Sequence, residues 1–473
     1  MENSTGKDHL ATGALGESEI LFQAVTHLGP AGAAIVIFPF LTRFVGASIP
    51  FILLICLAAL ILTGLCVSAL AQRLPSAGGF FTYVSKGLGR RMGFFTAWAY
   101  FLYDPLIPTA SVLIAAGIME QVFKENLGVS VPWWITTLVM LAIVHAVTYW
   151  GIKQSARLNL FLGVTECLIV FALSIGIIWH AGLQAQSMEP FRFPTLGLQP
   201  LSLAFAFTML MFCGFESAAP LAEEAADPKR AIPRTMILSL LVVGALWVVS
   251  GYALVLGFGI SQAHQMLQAA ENPFFSLSRT VWGNFGWLLV LFALVNSSLA
   301  ASIAGQNAGS RVIFALGRAG VLSPRLGNIH PQHKTPSTAI FGQSALNVAA
   351  SLALGFWLGP IPALGFIGIL ISIGIIVVYM LGNISVIPLY RGRFRSSWHP
   401  VRHGVVPVLG TLLLGFALYC TVWPLPPHPM SLAEIFVGLW FVIGAALAVH
   451  LGRGSSGAAL ERAAAIMYQG ATD

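Results

Sequence analysis

Long apolar runs dominate this chain of 473 residues and restrict the environment in which it can fold. The runs at 48–71 and 238–260 are each long enough for a helix to cross about 30 Å of hydrocarbon. Only 9% of the residues are charged, against roughly 25% in soluble domains, so the chain cannot cover a globular surface of this size with polar groups. The sequence therefore predicts an all-α polytopic membrane protein.

Charged segments and segments rich in Pro and Gly separate the apolar runs into about twelve predicted transmembrane helices. We place these spans at 19–44, 48–71, 92–123, 131–150, 157–182, 199–225, 233–260, 284–316, 336–358, 362–390, 404–424 and 431–451. The third and eighth runs exceed the length of a straight span, and we expect them to tilt or to extend beyond the bilayer.

The basic residues predict how the spans are oriented. With the N-terminus in the cytoplasm, only four of the 24 Lys and Arg residues fall outside, namely Arg43, Lys124, Arg192 and Arg279. The positive-inside rule then predicts a multi-pass protein of the cell membrane, plasma or inner, with both termini cytoplasmic. The same distribution accounts for the net charge of +7 as an anchor to the lipid bilayer. We expect no nucleic-acid partner.

Three acidic residues lie well inside predicted spans, namely Asp104, Glu166 and Glu216. A charge at the bilayer centre costs on the order of 3 kcal/mol or more. Each of these carboxyl groups must therefore face a polar cavity, pair with a partner or carry a proton.

Glu166 lies on a polar face of its predicted helix. Asn159, Leu162 and Gly163 share that face at helical spacing, so the carboxyl group points into the bundle. It is either a proton carrier or cation ligand, or a buried group bonded to a neighbouring helix. Asp104, which precedes a proline, either lines a substrate cavity or holds helices together.

Helix breakers occur in mid-membrane in two spans. Gly29-Pro30-Ala31-Gly32 interrupts the first span, and Gly214-Phe215-Glu216-Ser217 interrupts the sixth. A broken helix is tolerated in a membrane only where its freed backbone groups line a cavity or are buried in protein. The two breaks are five spans apart and so enter from opposite sides, which is typical of an inverted five-plus-five repeat.

In such a repeat the substrate lies at the midplane between the two broken helices. The amino-terminal ends of the half-helices offer N–H groups to a carboxylate, and the carboxyl-terminal ends offer carbonyls to an ammonium group. The site therefore suits a zwitterion. The residues predicted to bind substrate are Thr26, His27, Gly29, Ala31, Gly32, Asp104, Cys213, Gly214, Phe215, Glu216 and Ser217. For His27 a structural role stays open.

The repeat also divides the chain into regions. We expect a cytoplasmic N-terminal tail at 1–18, a five-plus-five transport core at 19–390, two additional transmembrane helices at 391–451 and a cytoplasmic C-terminal tail at 452–473.

Three stretches resemble a known family over nearly the whole chain. They are RLPSAGGFFTYVSKGLGRRMGFFTAW at 73–98, GFESAAPLAEEAADPKRAIPR at 214–234 and GSRVIFALGRAGVLSPRLGNIHPQHKTP at 309–336. Each is similar to a segment of the amino acid–polyamine–organocation superfamily of permeases. The resemblance implies the inverted-repeat fold and alternating-access transport of amino acids or related amines.

Two positions depart from the pattern of that superfamily. Many members have G-S-G-I-F at the first break, where this chain reads THLGPAGA. Many proton-coupled members carry a lysine on the fifth helix, about fifteen residues after the glycine that starts it, and counting from Gly151 places Glu166 there. A carboxyl group taken out of water favours its protonated form, so we expect the coupling ion to be a proton. Glu216 is a second candidate for coupling.

Past the sixth break, Glu223 and Glu224 lie about two turns further along the chain, followed by Lys229, Arg230 and Arg234. We interpret Glu223, Glu224 and Arg230 as part of a cytoplasmic gate. The alternative is a solvated helix end.

The expected function is secondary active transport of an amino acid, by proton symport. One alternative is an exchanger or facilitator of amines or polyamines, for which Asp104 and Glu216 would supply negative charge. Another is a membrane nutrient sensor that does not transport. The sequence contains no metal-ligand cluster, plausible Ser-His pair or phosphate loop, so we expect no enzyme activity, no metal and no cofactor.

Overall fold

The computed structural model describes residues 10–451 except 183, 185, 195–197 and 270. These residues are helical and contain no β-strand, apart from one isolated backbone bridge between Leu15 and Ala225. Twelve helical segments in the described part of the chain are long and apolar enough to cross a membrane. The predicted all-α polytopic fold and its number of spans are confirmed.

The described residues form fifteen α-helices, of which all but one belong to these spans. They are α1 Glu17–Leu28, α2 Pro30–Val45, α3 Ile49–Arg73, α4 Phe80–Leu88, α5 Arg90–Tyr100, α6 Ile107–Leu127, α7 Trp133–Trp150, α8 Ile152–Ala181, α9 Leu198–Met211, α10 Pro228–Phe258, α11 Pro273–Arg318, α12 Ser337–Leu358, α13 Pro360–Arg391, α14 Val406–Val422 and α15 Ser431–Leu451. The first span comprises α1 and α2, the third α5 and α6, and the sixth α9 with the 3₁₀ helix Phe215–Leu221. Helix α4 lies between the second and third spans, and every other helix is one span, with a kink at Gly283 inside α11.

The first span breaks where the sequence predicts. Helix α1 ends at Leu28, and Gly29 adopts a left-handed conformation with φ of 62° that both ends α1 and precedes α2. Glycine reaches this region without steric cost. Pro30 then starts α2, a position where its missing N–H group is not needed.

The sixth span also breaks at the predicted glycine. Helix α9 ends at Met211, Gly214 has φ of 118°, and the chain continues as the 3₁₀ helix Phe215–Leu221. Pro220 lies inside that short helix. It has no N–H group to donate and does not favour a regular α-helix. The seventh span begins only at Pro228, after a turn.

The third span contains a further interruption. Helix α5 ends at Tyr100, the 3₁₀ helix Asp104–Leu106 follows, and α6 begins at Ile107. Prolines at positions 105 and 108 remove backbone donors at this point. The excess length of this run therefore reflects a break inside the span.

The packing of the spans has the symmetry of an inverted repeat. The fifth span packs against the eighth, as the tenth packs against the third. Likewise the fourth span contacts the eighth, as the ninth contacts the third. Exchanging each span for the one five positions away thus preserves these contacts. Helices α14 and α15 pack outside this ten-span core, α14 against α3, α9 and α13 and α15 against α5 and α13.

Helix α8 has one face exposed to lipid and one face buried in the bundle. Phe161 and Trp179 are 66% and 84% exposed, as apolar side chains facing lipid would be. Asn159 and Glu166 are fully buried on the other side. At Gly163 an added Cβ would lie 2.6 Å from atoms of α1, so the two helices approach closely there. The polar face predicted for this helix does point into the bundle.

Candidate functional site

A cavity of about 160 Å³ lies where the two broken spans meet. Its polar lining residues are His27, Ser111, Cys213, Ser297 and Ser298. Small or apolar residues complete the wall, namely Leu28, Gly29, Gly32, Ala33, Val36, Ile37, Ile107, Ala110, Ile114, Leu210, Met211, Ala301, Leu364, Gly368 and Ile371. The cavity has about the size of one that holds a benzene-sized molecule.

Topology places the cavity on one side of the breaks. Its wall comes from the start of α2, the start of α6, the end of α9 and the start of α13, with α11 crossing behind. The first and third spans run away from the amino terminus, and the sixth and tenth run back toward it. All four segments therefore lie on the side of the breaks opposite to the amino terminus.

At the first break, polar side chains of other spans bind the exposed backbone. The amide of Ala31 donates to Glu166 Oε2 at 3.2 Å, and the amide of Gly32 donates to Ser297 Oγ at 3.0 Å. Both donors belong to the first turn of α2, where a helix leaves its N–H groups without intrahelical partners. The Glu166 carboxylate thus lies at the positive end of α2, where negative charge is stabilised.

At the sixth break, Glu216 folds back onto its own backbone. The amide of Gly214 donates to Glu216 Oε2 at 3.0 Å. The hydroxyl of Tyr379, on α13, donates to the same oxygen. Glu216 is only 3% exposed, so these contacts replace the water that its carboxyl group gives up.

The break in the third span contributes the remaining buried carboxyl group. Asp104 Oδ2 accepts a hydrogen bond from the hydroxyl of Tyr100 at 2.6 Å. Asp104 Oδ1 lies 3.3 Å from His27 Nε2, and both side chains are 1% exposed. The His27 ring also packs against Gly214, where an added Cβ would lie 2.9 Å from its Cδ2 atom. All three breaks therefore meet at His27.

The electrostatic character of this region follows from these groups. Three buried carboxyl groups surround the cavity, and among the described residues no Lys or Arg lines it. Within the described part of the chain, the structure brings no three His, Cys, Asp or Glu side chains into a group that could hold a metal ion. The arrangement suits a small cation with an apolar body.

The residues predicted to bind substrate divide into two groups. His27, Gly29, Gly32 and Cys213 line the cavity. The other seven lie around it without lining it, namely Thr26, Ala31, Asp104, Gly214, Phe215, Glu216 and Ser217. The Thr26 hydroxyl donates to the Phe22 carbonyl within α1.

Several residues of the site were not predicted from the sequence. Ser297 and Ser298 had a visible signal, since the run VNSSLAAS places small polar residues inside an otherwise apolar span. Tyr379 had none, because its partner Glu216 lies 163 residues away in the chain. Tyr100 lies only four residues before its partner Asp104, and that spacing was a signal.

On the side of the amino terminus, ion pairs close the bundle. Arg311 Nη2 lies 2.9 Å from Glu224 Oε1 with both side chains buried, and Arg318 Nη1 lies 3.1 Å from Glu223 Oε2. We call these four residues the amino-terminal gate. The partners are thus two arginines of α11, which packs against the segment that follows the sixth break.

Neither of these pairs includes Arg230, which the sequence also places in the predicted gate. That residue is exposed on the first turn of α10, because the chain turns outward at 226–227 before the helix begins. Arg234 also points outward and pairs with Glu17, the two side chains being 52% and 43% exposed.

The amino-terminal segment adds a backbone contact to the gate. The amide of Leu15 donates to the Glu224 carbonyl at 3.0 Å, and the amide of Ala226 donates to the Leu15 carbonyl at 3.0 Å. Leu15 itself is fully buried. Side chains and the backbone of the preceding segment therefore hold this side of the bundle together.

Comparison with known proteins gives a family and several relatives. The model of the family described as "Amino acid permease" matches residues 18–446. The low-affinity putrescine importer PlaP of Escherichia coli strain K12 is 26% identical over 378 residues, covering 76% of this chain and 78% of the relative. The branched-chain amino acid permease BcaP of Bacillus subtilis strain 168 is 25% identical over 381 residues, covering 76% and 77%. The aspartate-proton symporter of the same strain is 23% identical over 429 residues, covering 82% and 79%.

Proposed function

The chain belongs to the amino acid permease family, and from this premise we propose that it carries a small amine-bearing solute across the cell membrane together with a proton. As a family member with twelve apolar helices, it is a multi-pass membrane transporter and not an enzyme. The solute class proposed at this level is an amino acid or a related amine.

The observation that carries the proposal is the convergence of broken helices on one small cavity. The first and sixth breaks, with the third, meet at His27 beside a space of about 160 Å³. Discontinuous helices of this kind bind solutes at the bilayer midplane in transporters with inverted repeats. The buried carboxyl groups around the space favour a solute with an ammonium group.

Alternating access is supported by the asymmetry between the two sides. The amino-terminal gate and the Leu15 contact close one side, while the cavity lies on the other. Transport then requires the gate to separate and the far side to close around the solute. We propose that the gate faces the cytoplasm, because 20 of the 24 basic residues lie on that side when the N-terminus is inside.

Glu166 is the group that we propose to carry the proton. Its carboxylate accepts from the Ala31 amide, so protonation would weaken the charge-assisted bond that ties α8 to α2. Proton binding would thereby loosen the half-helix that lines the cavity. The aspartate-proton symporter among the relatives supports this coupling.

Uptake into proteoliposomes tests the transport itself. Purified protein is reconstituted and supplied with a panel of labelled amino acids and amines, with and without an inward proton gradient. We expect at least one solute to accumulate, and more of it with the gradient. A protein that binds solutes but accumulates none under any gradient would instead be a sensor.

Glu166→Gln tests the proton carrier. The variant keeps an oxygen that can accept from the Ala31 amide but cannot ionise. We expect gradient-driven accumulation to disappear while exchange of labelled for unlabelled solute continues. Glu125→Gln, at an exposed position near the end of α6, is the matched control and should leave both unchanged. An unaltered pH dependence in the Glu166 variant would exclude this assignment.

A further inference from the structure

The amide groups at the first break already have partners within the protein. The Ala31 amide is bound by the Glu166 carboxylate and the Gly32 amide by the Ser297 hydroxyl. A carboxylate is one of the anions that helix amino termini bind, and here the chain supplies its own. The place at which the start of α2 would bind the carboxylate of a solute is thus occupied by a side chain of α8.

The rest of that helix start offers no further donor. The Gly29 amide donates to the Thr26 carbonyl at 3.0 Å, and Pro30 has no N–H group. The next amide, of Ala33, donates to the Gly29 carbonyl at 2.9 Å as the first regular bond of α2. All backbone donors from Gly29 to Ala33 are therefore accounted for.

The sixth break is arranged in the same way at the amide of Gly214. The Gly214 amide is bound by Glu216, the Cys213 amide donates to the Leu210 carbonyl at 3.0 Å, and the Ser217 amide donates to the Gly214 carbonyl at 3.0 Å. A carboxyl group of the chain again takes a donor that the break exposes.

Side chains of the cavity do not replace these donors. No Lys or Arg lines the cavity among the described residues, and the Nε2 atom of His27 is directed at Asp104. The remaining polar groups are the Nδ1 atom of His27, which is buried without a hydrogen-bond partner, the serine hydroxyls and one thiol. A solute carboxylate would enter a space bordered by three buried carboxyl groups without a charged partner, which is unfavourable.

We propose that the solute is a primary amine that lacks an α-carboxylate, with Glu166 occupying the position that the carboxylate of an amino acid would take. This inference rests on the proposed transport function and specifies its solute class. The apolar wall, with residues such as Val36, Ile107 and Leu364, selects an amine with a small hydrocarbon body. The ammonium group is stabilised by the negative charge around His27.

Pairs of solutes that differ only in the carboxylate test the proposal. The reconstituted protein is supplied with isopentylamine and leucine, and with phenethylamine and phenylalanine. We expect each amine to inhibit the uptake of a labelled solute at a concentration at least 10-fold lower than the corresponding amino acid does. Equal or better competition by the amino acid in both pairs would overturn the proposal and leave the transport function intact. Absence of binding and uptake for all four solutes would count against the transport function itself.

Putrescine, compared with isopentylamine, tests the inferred apolar body of the solute. Putrescine carries a second ammonium group where isopentylamine carries a branched hydrocarbon. We expect putrescine to compete less well than isopentylamine, since the wall offers apolar contacts. If putrescine competes better than isopentylamine, the inferred preference for an apolar body is wrong and the site binds diamines.

Glu166→Gln tests the stated cause of this selectivity. Loss of the negative charge at the start of α2 should lower the preference for isopentylamine over leucine by at least 3-fold. A ratio of two solutes measured on the same preparation is insensitive to how much protein is folded. Glu125→Gln should keep the wild-type ratio. An unchanged ratio in the Glu166 variant would show that this carboxylate does not exclude the solute carboxylate.

Discussion

Several buried polar side chains in this protein accept hydrogen bonds from backbone amides that the helix breaks expose. Glu166 and Ser297 bind two amides of the first break, and Glu216 binds one amide of the sixth. Each of these side chains belongs to a position where a charged or polar group inside the bilayer is costly unless it has a partner. The breaks provide those partners, so the buried polar residues and the broken helices stabilise each other.

Tyr379→Phe should lower transport by weakening the support of Glu216. A hydrogen bond to a charged group contributes about 1.5–3 kcal/mol, so we expect at least a 10-fold loss of uptake at low solute concentration. Tyr390→Phe is the matched control on the same helix, because its hydroxyl donates to the Ala69 carbonyl far from the cavity. Initial uptake rates for both variants, at equal protein content, check this. Equal rates would assign Tyr379 to packing alone.

The sequence predicts some of these residues better than others. The direction of Glu166 follows from local spacing, since Asn159 and Gly163 define one face of α8. Its partner could not be predicted, because the Ala31 amide lies 135 residues away in the chain. The same holds for Glu224, whose actual partner Arg311 is on α11 while the nearby Arg230 is exposed. Local patterns predict where a side chain points, and tertiary packing decides what it meets.

At the level of helices, the elements that shape the candidate site are the short breaks inside the first, third and sixth spans. The breaks at Gly29 and Gly214 could be predicted because their cause is local, namely glycine and proline in an apolar run. The break before α6 has an equally local cause, but the sequence predicts one overlong span there. The residues around Asp104 are apolar enough for the hydrophobic run to continue across the break.

Gly214→Ala should disrupt the sixth break. The backbone there has φ of 118°, and the added methyl group would lie 2.9 Å from the His27 ring. Left-handed backbone alone costs a non-glycine residue roughly 1–2 kcal/mol. We expect uptake to fall at least 10-fold and the melting temperature to drop. Gly438→Ala, on α15 with no atom within 4 Å of the new methyl group, should change neither. Full activity of the first variant would mean that the break tolerates another backbone conformation.

On the scale of the whole molecule, the side of the bundle near the amino terminus is distinguished by buried charges. The amino-terminal gate contains a fully buried ion pair, Arg311 with Glu224. Removing one partner of such a pair leaves an uncompensated buried charge, at a cost of about 3–5 kcal/mol. The closed gate should therefore be the state most sensitive to a change at either residue.

Arg311→Met should shift the protein toward the state with this gate open. A cysteine introduced at Leu15 should then react at least 10-fold faster with a water-soluble maleimide than in the parent. Arg234→Met removes an exposed pair with Glu17, which contributes at most about 1 kcal/mol, and should leave the labelling rate unchanged. If both variants label at the parent rate, the buried pair does not hold the gate closed.

Leu15 is among the first described residues of the chain, and the backbone groups that it binds, on Glu224 and Ala226, lie about 210 residues later. At a synthesis rate of roughly 5–20 residues per second, the ribosome needs about 10 to 40 s to produce those partners. Because the sixth span ends at Leu221, these backbone bonds can form only after that whole span has been synthesised. The closing of this side of the bundle therefore depends on completion of the sixth span.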